Sequence, residues 1–124
     1  MDEVVKKDVL NVLSDVVKIL NADEGKDVTE LMELSNHTIH NASVFQDEDS
    51  VSIAILIYSL SKVIERKEGK MNYKVILKLI VDAKNTLEQN RIDAYRKLIR
   101  KLFDFISSLD SKLKLYIGEV INQA

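Results

Sequence analysis

Apolar residues recur along the chain at the 3.6-residue period of an α-helix, with polar residues between them. The pattern predicts about six helices. In the first, over residues 2–20, Val5, Val9, Val12, Leu13, Val16, Ile19 and Leu20 share one side, and Lys7, Asn11, Ser14, Asp15 and Lys18 share the other. Asp2 stands at the N-cap position, and Asn21 to Gly25 reads as the stop. Valine is a modest helix former, so packing has to hold this helix. The second opens with Asp27, Val28, Thr29 and Glu30, a capping-box pattern in which the Asp27 carboxylate accepts from the Glu30 amide. Its apolar face is Val28, Leu31, Met32, Ile39 and Ala42, and its end is expected between Asn41 and Ser43. Residues 44–49 form an acidic connection, one of whose carboxylates should cap the third helix.

The third helix, residues 50–67, is the most apolar. Ile53, Ile57, Leu60 and Ile64 make a stripe that Ala54, Ile55, Leu56 and Tyr58 widen. Its β-branched content would also suit a buried strand, but its length favours a helix. A helix apolar nearly all round belongs at the centre of a bundle. Gly69 is the expected stop. A fourth helix over 72–89 carries Ile76, Leu79, Ile80, Ala83 and Leu87 inward, with Tyr73, Leu77 and Val81 as a second, flanking strip. A fifth over 90–107 turns Ile92, Tyr95, Ile99, Leu102, Ile106 and Leu109 inward. A sixth, capped by Ser108 or Asp110, does so with Leu113, Tyr116, Ile117, Val120 and Ile121.

Composition supports this reading. The chain has 124 residues, no proline and three glycines, too few turn formers for a strand-rich fold. Its length suits one domain, 1–124, able to bury a core of its own. Absent cysteine excludes disulfides and thiolate chemistry. The N-terminal residues lack the pattern of a signal peptide, and the longest apolar run, 51–60, is about half a membrane span. A cytoplasmic protein with no membrane partner is expected. Net charge is −2, but residues 1–49 carry roughly −8 and residues 50–124 roughly +6. That asymmetry either folds an acidic half against a basic half or attracts a partner, a second copy included.

Three clusters are candidate sites. Glu33, His37 and His40 lie within one wedge of the second helix, and Asp47, Glu48 and Asp49 follow. Two imidazoles one turn apart beside carboxylates have the donor types for a divalent metal. The spacing is not that of zinc hydrolases or di-iron bundles, and the plainer alternative is a solvated face followed by a helix cap. Arg96, Lys97, Arg100 and Lys101 form a basic face suited to nucleic-acid phosphates. The alternative is self-pairing with Asp93 and Asp104 at i,i+3 and i,i+4. The strip Tyr73, Leu77 and Val81 is surplus to one core face, so it is covered by another helix or offered to a partner. No phosphate-binding glycine loop and no nucleophile elbow occur, so no catalytic residue is expected.

The segments 34–50 (LSNHTIHNASVFQDEDS) and 110–121 (DSKLKLYIGEVI) resemble a family of small archaeal proteins of unknown function. The resemblance covers most of the chain. It implies a helical domain followed by a short helix-turn-helix-like tail, which this chain lacks, so residues 1–124 would be the N-terminal domain of a slightly longer protein. The resemblance carries no activity.

The expectation is therefore an all-α bundle of about six helices around a central apolar helix near 50–67. Its role is non-enzymatic protein interaction or dimerisation, including within a nucleic-acid-associated regulator, with no cofactor. The alternative is a metal sensor or metal-dependent enzyme built on Glu33, His37 and His40.

Overall fold

The computed structural model describes residues 1–22, 26–67 and 72–110. Among them five helices form: α1 (Glu3–Asn21), α2 (Asp27–Phe45), α3 (Glu48–Arg66), α4 (Lys74–Glu88) and α5 (Ile92–Ser108). There is no strand among the described residues. The expected stops at Gly25 and Gly69, and the expected sixth helix with Leu113, Tyr116, Ile117, Val120 and Ile121, lie outside the described residues.

The helices close a ring in the order α1, α2, α3, α5, α4 and back to α1, with α1 also touching α3. Asn41, late in α2, donates to Asp8, early in α1, at 2.9 Å, so these two run antiparallel. The short links from α2 to α3 and from α4 to α5 make hairpins. α3 and α5 run in the same direction. Asp49 meets Arg96 where both begin, and Arg66 meets Asp110 where both end.

The core fills the ring. Val9, Leu13 and Val16 come from α1, Ile53, Leu56, Ile57, Leu60 and Ile64 from α3, Ile76, Ile80 and Leu87 from α4, and Leu102 and Ile106 from α5. α3 is the central apolar helix that its composition predicts, and it is buried along most of its length. Each large side chain taken wholly out of water stabilises the fold by about 1.5–3 kcal/mol before ordering entropy is charged against it.

Helix starts follow local chemistry in two cases. Asp2 caps α1 by accepting from the Val4 amide at 2.8 Å. Asp47 caps α3 by accepting from the amides of Asp49 at 2.9 Å and Ser50 at 3.3 Å. The third case is corrected by the fold. α2 has no side-chain cap, because Asp27 is its first helical residue and its carboxylate accepts from the Tyr73 hydroxyl at the start of α4. A tertiary partner outcompetes the local capping box.

The buried face of α2 also differs from the sequence reading. Leu31, Leu34, Ser35 and Thr38 are buried, while Met32 and Ile39 are exposed. α2 packs most extensively on α3. Leu31, Leu34, Ser35 and Thr38 fall on one side of α2 at helical spacing and Met32 and Ile39 fall off it, so burying the first set leaves the second in water. Thr38 satisfies its hydroxyl by donating to the Ser35 carbonyl at 2.8 Å, which lowers the cost of burying it. α2 also runs past Ser43 to Phe45, shortening the acidic connection to Gln46 and Asp47. Gln46 turns the chain with φ 49°, in the left-handed region.

Candidate groove between α3 and α5

Where α3 and α5 begin, the surface of the ring is indented between them. The gap is a solvent-accessible groove of about 620 Å³. Its apolar lining comes from Val51 and Ile55 on α3 and Ile99 and Phe103 on α5. Gln46, Asp47 and Glu48 flank it on one side, Arg96 and Arg100 on the other. Val51 remains 40 % exposed.

The ion pair between α3 and α5 at its mouth explains how Asp49 can be buried. Its side chain is 7 % exposed, yet both carboxylate oxygens are held by one guanidinium, at 3.1 Å from Arg96 Nε and 2.8 Å from Arg96 Nη2. The planar fork of arginine matches the carboxylate and satisfies it without water. The hydrogen bonds to Asp49 hold Arg96 more firmly protonated than a free guanidinium. Beside them, burial pushes the Tyr95 phenol well above its ordinary pKa, and the Asp49 charge pushes it further. At the far end Arg66 pairs with Asp110. An ion pair thus joins α3 and α5 near each end.

The candidate metal residues are put to other uses. Glu33, His37 and His40 sit on the exposed side of α2. His37 Nε2 lies 3.1 Å from Asn41 Nδ2, whose amide also donates to Asp8. Asp47 caps α3, Asp49 binds Arg96, and Glu48 is exposed on the groove rim. Among the described residues, no three His, Asp or Glu side chains converge as a metal-holding group.

The basic face divides in two. Arg96 turns to Asp49, while Lys97, Arg100 and Lys101 are exposed and make no ion pair among the described residues. Asp93 and Asp104, the sequence-expected partners, form no bridge with them; the helical pairs that do form are Lys62 with Glu65 and Lys84 with Glu88. The flanking strip on α4 divides as well. Tyr73 and Leu77 rest against the core, and Val81 is exposed.

The sequence reading missed the groove. Its two walls are about one half-chain apart, and no local period links Asp49 to Arg96. The available hint was Val51 and Ile55, one turn apart on the side of α3 away from its main stripe.

No helix among the described residues is long and apolar enough to cross a membrane. Compared with known proteins, the chain matches no family model, no curated protein and no solved structure.

Proposed function

We propose that this chain is a non-enzymatic helical interaction module, acting in the cytoplasm, whose docking surface is the groove between α3 and α5. The observation that supports it is the groove between α3 and α5, where Val51 and Ile55 stand partly open above the buried Ile99 and Phe103 and charged side chains line both rims. An amphipathic helix laid in such a groove buries its apolar face, and a rigid receptor loses little entropy in receiving it. Charged side chains on both rims supply register.

The test uses anilinonaphthalene sulfonate, an environment-sensitive apolar dye, on the dilute chain. Dye fluorescence should rise on binding and fall back in Val51→Arg, which is exposed enough to leave the fold intact. A dye response absent from the native chain, or unchanged in Val51→Arg, would sink the reading.

A second reading has its own support. The unpaired cations Lys97, Arg100 and Lys101 on the outer side of α5 suit phosphate contacts, as a nucleic-acid-associated regulator would need. Binding to a duplex oligonucleotide should weaken steeply with salt, and Lys97→Ala with Lys101→Ala should flatten that slope. Affinity indifferent to both changes removes this reading.

A further inference from the structure

We propose that the occupant of the groove is a second copy of this chain, related to the first by a two-fold axis running along the groove. The proposal rests on the reading of the groove as a docking surface and names its partner.

The argument is one of charge and direction. The α3 side carries Asp47 and Glu48, and the α5 side carries Arg100 beside Arg96, whose guanidinium is already paired with Asp49. The two helices run the same way, and the Asp49–Arg96 pair sets the first turn of α3 level with the second turn of α5. A two-fold axis along the groove then lays α3 of one protomer over α5 of its partner, pointing in the same direction. The acidic side meets the partner's basic side, and symmetry repeats the contact. A two-fold axis across the groove would instead stack α3 on α3 and set acid against acid. Val51 and Ile55 stand one turn apart on the outward side of α3, Val51 40 % exposed, and this symmetry lays them against the partner's groove face. The net charge of −2 is small enough that two copies approach without strong overall repulsion.

Light scattering coupled to size exclusion of the full chain, across a range of concentrations, reads the assembly. A single probe is simple to place because the native chain has no cysteine. Ser52→Cys carries an environment-sensitive fluorophore into the groove. The expected result is a concentration-dependent dimer in which the probe becomes shielded as the dimer forms. Glu48→Arg and Arg100→Glu should each weaken the dimer by about tenfold, because each reversal acts twice across the axis. The two together should restore it to within about threefold of the native affinity, since the reversed charges again face each other. Both residues are exposed, and circular dichroism confirms that the helices persist.

A monomer at every concentration with the probe open to solvent overturns the second copy and leaves the groove reading standing, with another protein as occupant. A monomer with the probe shielded overturns both, because the chain's own residues then cover the groove. A dimer indifferent to Glu48→Arg, Arg100→Glu and Val51→Arg forms through another surface and also overturns the proposal.

Discussion

Asp49 and Arg96 stand 47 residues apart in the chain and meet through two parallel hydrogen bonds, 3.1 and 2.8 Å long, that join α3 to α5. The pair is asymmetric. The Asp49 side chain is almost wholly buried, and that of Arg96 is half exposed. Asp49 therefore depends on its partner far more than Arg96 does.

Removing the guanidinium should leave a buried carboxylate without its donor. Arg96→Met is expected to cost about 1–3 kcal/mol, less than for a fully buried pair because water reaches the arginine side. Asp49→Asn, which keeps polar contacts with Arg96, should cost less. Urea denaturation measures both, and an unchanged midpoint in Arg96→Met would show that the pair does not help close α3 on α5.

Tyr95 makes the fold sensitive to alkali. Burial, and then the Asp49 charge, raises its pKa in the folded chain above that in the unfolded chain. Tyr73 is raised in the same direction, first by burial and then by its hydrogen bond to Asp27. Below about pH 10 both states keep the phenol proton and stability is full. Above it the unfolded chain loses the proton first, so stability falls by up to about 1.4 kcal/mol per pH unit for Tyr95, and by less for Tyr73, which is more open to water. Tyr95→Phe should flatten the decline in urea denaturation between about pH 9 and about pH 11. An equally steep decline in that variant would show that Tyr95 is not the group responsible.

The face of α2 can be tested with two truncations. Leu34 is buried and Ile39 is 48 % exposed, the reverse of what the apolar pattern of the helix suggests. Leu34→Ala should cost about 2–4 kcal/mol and Ile39→Ala less than about 1 kcal/mol. Equal thermal shifts for the two would contradict the observed packing.

Ser59 is fully buried in α3, and its hydroxyl has no partner among the described residues. An unpaired buried hydroxyl costs free energy that a methyl group does not. Ser59→Ala should therefore be neutral or raise stability by up to about 1 kcal/mol. A clear loss of stability would mean that the hydroxyl is satisfied in solution.

Asp47 is the N-cap of α3 as well as part of the groove rim. Asp47→Ala should cost about 1 kcal/mol, and Asp47→Ser should recover most of it, because serine restores the acceptor. Equal losses in the two variants would point to the rim charge rather than the cap.

What the sequence by itself determined is local and periodic. The apolar stripes of α1, α4 and α5 predict helices that the fold contains within a residue or two of their ends. The long apolar stretch of α3 marks the central helix, and the acidic connection before it supplies the carboxylate cap expected there, which the fold assigns to Asp47. These features depend on neighbours within two turns, where helical geometry fixes which side chains meet. Tertiary structure decided the rest. It turned α2 onto Leu31, Leu34, Ser35 and Thr38 and left Met32 and Ile39 exposed. It drew Asp27 from its cap to Tyr73, and Arg96 from the basic face to Asp49. It also opened the groove between Val51, Ile55, Ile99 and Phe103. Each of these joins residues far apart in the chain, and which distant side chains meet is set by how the helices share one core, not by any period along the sequence.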